Sequence, residues 1–241
     1  MKKNRLITRR TALVTGLASI TGLLLPGCSK TQPPTYGNIL RMGDALTYNA
    51  QRTLLPGQTL AKEYRHNDIS SFPATGTTDP SFNEEYGRLL KNAFADWSLP
   101  IEGKVSRPRS YTLADLKKFP ARTQITKHTC EEGWTAIGEW TGVPLSSLLK
   151  NVGILPSARF VNFYAYDSWI DSIDLLDAFH PQTILAYGMN GRDLPVPHGA
   201  PVRLRVEKQV GYKSMKYLQR IEVTDEFVDL GDSGWAWYVG M

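Results

Sequence analysis

The chain has 241 residues with 28 Lys/Arg against 23 Asp/Glu, and its formal net charge of +5 is concentrated at one end. Residues 1–27 hold Lys2, Lys3, Arg5, Arg9 and Arg10 and no acid, so the remainder balances 23 basic against 23 acidic side chains. That balance, with no aromatic–basic recognition motif, leaves no basis for a nucleic-acid partner, and two cysteines exclude a disulfide framework.

Arg9 and Arg10 precede an apolar run from Thr11 to Leu25 that Gly16 and Gly22 interrupt. A charged segment before about 7–15 apolar residues is an export signal, whereas a spanning helix needs roughly 20. The arginine pair resembles a twin-arginine signal, whose route carries proteins already folded. Leu25-Pro26-Gly27-Cys28 resembles a lipoprotein processing site, although Pro26 departs from the usual small residue there. A lipid anchor at Cys28 on the periplasmic side is therefore expected, with a soluble periplasmic product as the alternative. Residues 1–27 are read as the twin-arginine export signal, 28–60 as a linker or N-terminal arm, and 61–241 as a single domain.

Along that domain, Glu63 to Pro80 shows little regular patterning, and a long irregular stretch in a compact domain is often a functional loop. Leu99–Val105 alternates as a strand. Thr112-Leu113-Ala114-Asp115 has the capping-box pattern of a helix start, and Pro120 closes that short helix. Gln124–His128 reads as extended and delivers Cys130 at its end. Pro144 is expected as the first-turn proline of a helix over Leu145–Val152, with Gly153 as its C-terminal cap. Phe160–Tyr166, Thr183–Met189, Val202–Val206 and Ile221–Val223 read as strands, with Asn190-Gly191 as a tight turn. The pattern predicts an α+β domain, a strand-dominated mixed sheet or barrel with short helices, and no internal repeat.

Cys130, in His128-Thr129-Cys130-Glu131-Glu132-Gly133-Trp134, is the one thiol left free once Cys28 is processed. A lone thiolate suits a soft metal or a molybdenum-type centre, or a nucleophile stabilised by cations; an unpaired cysteine also serves as a small apolar filler. No glycine-rich phosphate loop of a nucleotide-binding α/β domain is present. The histidines, His66, His128, His180 and His198, are scattered, so their spacing does not support a zinc site. His198 and Arg203 flank a Gly/Pro bend, and Gly211-Tyr212-Lys213-Ser214-Met215-Lys216 is a small-residue loop with two ammonium groups. A guanidinium fork, backbone N–H groups and lysine together make an anion cradle, the alternative being a solvated basic turn.

Cys130 to Leu149, with Cys-Glu-Glu-Gly-Trp, Trp140-Thr141-Gly142-Val143-Pro144-Leu145 and the pair Leu148-Leu149, resembles the molybdopterin-binding domain of the sulfite oxidase family. The likeness continues through Ala178-Phe179-His180-Pro181, Leu185-Ala186-Tyr187, Asn190-Gly191, His198–Leu204 and Gly211–Ser214. The resemblance implies the sulfite oxidase molybdopterin-binding fold and an oxidoreductase with one molybdenum–molybdopterin per chain. It implies two-electron oxygen-atom transfer to or from a small-molecule oxo substrate, the metal alternating between Mo(VI) and Mo(IV). It further implies that Cys130 ligates molybdenum, that His198, Arg203, Ser214, Met215 and Lys216 hold the phosphate and pterin, and that Asp167 contacts the pterin. Tyr64-Arg65-His66-Asn67 stands where sulfite oxidases carry an Arg-Asn-His run, with the last two inverted. By that likeness all four are cofactor-binding candidates. Arg65, a catalytic candidate, and Lys127 would draw in substrate. Glu131 and Glu132 suit a solvated surface, and Trp134 and Trp140 suit packing.

Sulfite oxidases continue into an immunoglobulin-like dimerisation domain and some carry haem; this chain ends at Met241 without a haem-attachment motif, so no haem is expected in it. Its size and export signal resemble the family's periplasmic methionine sulfoxide reductase catalytic subunits, which take electrons from a membrane haem or cytochrome partner. An S-oxide or N-oxide reductase is therefore the main expectation. The absent Asn-Asn-x-Tyr pterin segment and the Arg65-His66-Asn67 run carry the alternative, a sulfite dehydrogenase. A cofactor-free binding or scaffold lipoprotein on the same fold is a second alternative.

Overall fold

The computed structural model describes residues 59–226, together with Leu46, Asn49, Ala50, Thr53 and Leu54. All belong to the second of two compact units, residues 40–241. The expected export signal, residues 1–27, together with Cys28 and most of the expected 28–60 arm, lies outside the described residues, as do residues 227–241.

In chain order the elements are α1 (Glu84–Lys91), β1 (Ser98–Gly103), β2 (Arg109–Thr112), α2 (Leu113–Leu116), β3 (Arg122–Thr129), β4 (Thr135–Pro144) and α3 (Leu145–Val152). There follow β5 (Phe160–Ala165), β6 (Ile170–Asp174), α4 (Leu175–Ala178), β7 (Ile184–Met189), β8 (Arg192–Asp193), β9 (Arg203–Arg205) and β10 (Leu218–Thr224). One sheet has the order β2-β1-β10-β5-β6; the other runs β3-β4-β7-β8, with β9 also paired to β7. Strands β1 and β10 are parallel, Ile101 opposite Ile221, while the remaining pairs are antiparallel. The strand-dominated α+β expectation holds, its mixed sheet realised as two open sheets.

Period-two alternation turns Leu99, Ile101, Val161, Phe163, Ile221 and Val223 into one core. Helix α3 completes it with Leu145, Leu148, Leu149 and Val152, each fully buried and each worth about 1.5–3 kcal/mol of transfer free energy for an aliphatic side chain. A smaller cluster of Trp140, Ile184, Ala186, Met189 and Leu194 packs under Phe72. Among the described residues no helix is long and apolar enough to cross a membrane.

Helix α3 has the bounds its apolar spacing predicts, with Gly153 at φ +70° as its cap. Pro144 does not open its first turn: it is the last residue of β4 and the N-cap, with ψ 126°. The Thr112/Asp115 capping box forms, but α2 ends at Leu116, ahead of Pro120. Helix α1, capped by the Asn83 side chain, and strand β4 have no counterpart in the sequence reading. Strand β3 ends just before Cys130, β9 begins at Arg203 and the β5–β6 turn holds Asp167, so loops from both sheets carry the residues of interest.

Candidate active site

A cleft of about 270 Å³ collects residues from five segments. They are Phe72–Thr77, His128 with the turn Cys130–Trp134, Asp167 and Trp169, His198 with Arg203, and Gly211–Lys216 apart from Lys213.

Cys130 sits at the head of a turn in which its N–H donates to Trp134 O (2.9 Å) and Gly133 N–H donates to its carbonyl (3.1 Å). Gly133 adopts φ +91°, in the region that favours glycine. Cys130 is 6% exposed, and its thiol lies 3.6 Å from Glu131 Oε2. Burial, and then the charges of Glu131 and Glu132, push its pKa up, only partly offset by a backbone hydrogen bond at Glu132. A thiol held protonated is a poor free nucleophile. Beside it, His128 Nδ1 lies 2.7 Å from Arg205 Nη1, and burial, with Arg205 and Arg203 adding, lowers the His128 pKa to about 2.

The cationic side of the cleft is built around Arg203. Its Nη1 donates to His198 O (2.9 Å) and its Nη2 to Ser214 O (2.7 Å), while Nε is buried without a partner among the described residues. Burial first, and Arg205 second, lower its pKa to about 9. His198 is lowered to about 4 by burial, then by Arg203 and Lys216. Lys216 donates to Thr75 O (2.9 Å), Pro197 O (3.3 Å) and Thr77 O, and burial followed by Arg203 lowers it to about 8. Neither Arg203 nor Lys216 forms an ion pair among the described residues. Asp167 accepts from Trp169 N (3.3 Å), and burial raises its pKa. Two close approaches hold the loops. A Cβ on Gly199 would lie 2.9 Å from Lys216 Cβ, and one on Gly211 would lie 2.4 Å from His128 Nε2.

The structure thus brings Cys130, Asp167, His198, Arg203, Ser214, Met215 and Lys216 around one cleft. It does not bring Tyr64, Arg65, His66 or Asn67 there. Tyr64 N–H donates to Ile125 O (2.8 Å) on β3, and the following residues form an exposed 3-10 turn, His66–Asp68, so the chain enters the cleft only at Phe72. Lys127 is exposed and alternates with buried His128 on β3, off the cleft lining. Lys213 is also a correction: its ammonium is buried against Asp171 and Ser172 O instead of facing an anion. Sequence reasoning missed Phe72, which meets His128, Trp134, Trp140 and His198 at centroid distances of 5.2–5.7 Å. The irregular Glu63–Pro80 texture was its only signal.

Residues 87–229 match the family described as the oxidoreductase molybdopterin binding domain. A provisionally named protein-methionine-sulfoxide reductase subunit, YedZ1, of Azospira oryzae is 34% identical over 222 residues, 90% of this chain and 82% of that protein. The protein-methionine-sulfoxide reductase catalytic subunit MsrP of Pseudomonas syringae pv. tomato is 30% identical over 245 residues, covering 91% of this chain and 72% of its own length. In the crystal structure of the sulfane dehydrogenase SoxCD from Paracoccus pantotrophus, the matching region has a TM-score of 0.53 at 28% identity. It covers 56% of this chain and 39% of that one.

Proposed function

The chain belongs to the oxidoreductase molybdopterin-binding domain family, and from that premise we propose an exported molybdenum–molybdopterin enzyme that reduces S-oxides of the methionine sulfoxide type. The observation that carries it is the cleft itself, lined by buried Cys130 and by two cations, Arg203 and Lys216, that form no ion pair among the described residues. The names of the relatives support the substrate class.

The residues present fit the cofactor. Trp169 Nε1, Tyr212 Oη and Arg203 Nε are buried polar atoms without partners among the described residues, and each belongs to a cleft-lining residue. Buried polar groups are rarely left unpaired, so these call for acceptors that the protein does not supply. Arg203 and Lys216 would hold the phosphate, with Asp167, His198, Ser214 and Met215 around the pterin. Cys130 would ligate the metal. When bound, the cofactor supplies two-electron oxygen-atom transfer, the protein supplying position and electrostatics.

Phe72 and Trp134 pack edge to face, with ring centroids 5.7 Å apart, and line the same cleft as Cys130. Glu131 and Glu132 are exposed at the cleft, so they disfavour an anion such as sulfite more than a neutral sulfoxide. Arg65, which would have favoured an anion, does not line the cleft. Reducing a sulfoxide consumes two electrons and two protons and releases water, so a reductant is required. A membrane haem or cytochrome partner fills that role in this reading, with export through the Arg9-Arg10 signal and a lipid anchor at Cys28 placing the enzyme beside it.

The test is molybdenum and pterin analysis of protein made in a molybdenum-replete host, followed by a substrate panel. Bound molybdenum with dye-driven reduction of methionine sulfoxide is the expected result. Ferricyanide reduction by sulfite without sulfoxide turnover would make it a sulfite dehydrogenase, and a colourless metal-free protein would make it a scaffold.

A further inference from the structure

We infer that His128 is a neutral, fixed hydrogen-bond donor to the oxygen of the oxo substrate, held in that state by Arg205 and Glu207. The inference rests on the oxygen-transfer reading of the cleft.

His128 and Cys130 lie two residues apart at the end of β3, which puts their Cα atoms about 7 Å apart along an extended chain, and both line the cleft. Behind His128, Arg205 and Glu207 form an ion pair whose side chains are 1% and 0% exposed. Arg205 Nε and Nη2 donate to the two Glu207 oxygens at 3.0 and 2.8 Å. Gln124 Nε2 donates to the same carboxylate at 3.1 Å, and the guanidinium lies 4.4 Å from the Trp140 ring centroid. Arg205 Nη1, which makes no contact with Glu207, meets His128 Nδ1 at 2.7 Å.

A guanidinium has donors and no acceptor, so Nδ1 must accept and the ring proton must sit on Nε2. Nε2 has no hydrogen-bond partner among the described residues, and it faces Gly211, where any Cβ would occupy its space. Phe72 and Trp134 flank the imidazole at 5.2 and 5.5 Å. Burying an ion pair costs desolvation, and apolar side chains would fill the same volume as stably, so packing alone does not account for this arrangement. A tautomer lock does. The cations that suit phosphate, Arg203 and Lys216, hydrogen-bond other groups and share no partner with His128. A sulfoxide oxygen is a strong acceptor without a proton of its own, and an Nε2–H donor matches it. Arg205 and Glu207 are positioning residues.

Ring-nitrogen NMR of His128 in the holoenzyme should show Nε2 protonated and Nδ1 bare, and Arg205→Met should mix the two tautomers. His128→Leu should raise KM for methionine sulfoxide by about three- to tenfold, the loss of one hydrogen bond, while His128→Gln recovers most of it. Molybdenum content and inhibition by the thioether product, which lacks the oxygen, should stay unchanged in both. A proton on Nδ1, an unchanged KM in His128→Leu, or equal weakening of sulfoxide and thioether overturns the inference. Loss of molybdenum from His128→Leu does so as well, by assigning His128 to the cofactor. A molybdenum-loaded wild type that turns over no sulfoxide instead overturns the parent reading of the substrate, and the NMR still decides the lock.

Discussion

Lys213 and Asp171 form an ion pair with side chains 1% and 3% exposed, and it ties the loop between β9 and β10 to strand β6. Ser214, Met215 and Lys216 follow directly, so the pair sets where the cationic side of the cleft stands. Lys213→Ala leaves a buried carboxylate with one oxygen already unpartnered, and should cost about 3–5 kcal/mol. The double variant Lys213→Met/Asp171→Leu should recover much of that loss. Urea unfolding of the three proteins measures it.

Gly211→Ala should destabilise by about 1–3 kcal/mol, as overpacking does, because the new methyl would meet His128 Nε2 at 2.4 Å and Thr129 O at 3.1 Å. The strain falls on the strand end that carries Cys130, so molybdenum content should fall together with the melting temperature. An alanine variant with both values unchanged would show that the approach is not tight.

The Lys216 ammonium, lowered to about 8 from an ordinary 10.5 chiefly by burial, is charged only below that pH. Pyrophosphate affinity of the cofactor-free protein should therefore fall as pH rises through about 8, and Lys216→Met should flatten the profile. The stability term has the opposite sign. Between about 8 and 10.5 the unfolded chain binds more protons than the folded one, so this group adds stability as pH rises there. Calorimetric titration across pH 7–9 decides the first point.

Asp115 is held down to about 2 from 3.8 by the Lys118 hydrogen bond first and those from Thr112 next. A depressed folded-state value means its stabilisation is complete above about pH 4 and is lost as pH falls through about 2. Its carboxyl NMR titration should give that midpoint, and Thr112→Ala should raise it.

That capping box was legible because its signal is local: a hydroxyl and, three positions later, a carboxylate. Helix α3 was legible because all four of its apolar residues face the core. Strand β4 was not, since Gly138, Gly142 and Pro144 interrupt its pattern. Gly142 is required by contact, as a Cβ there would fall 2.1 Å from Leu185 O where the β4–β7 register shifts. Helix α1 hid behind polar residues and buries only Tyr86 and Leu89. In the cleft, His198, Arg203 and Gly211–Lys216 stood out as a Gly/Pro-framed anion cradle as well as in the multi-segment resemblance, whereas Asp167 came from the resemblance alone. Tyr64–Asn67 rested on one short run, and its backbone pairs with the β3 edge before the chain reaches the cleft. The Arg205–His128 lock joins residues 77 apart in sequence, which no local pattern reveals.

Molybdenum K-edge X-ray absorption of wild-type protein and Cys130→Ser tests the central claim most directly. The wild type should hold a molybdenum centre, and the variant should fold with molybdenum that, where retained, has lost one sulfur scatterer. A wild type without molybdenum, or a variant with an unchanged sulfur shell, would contradict it.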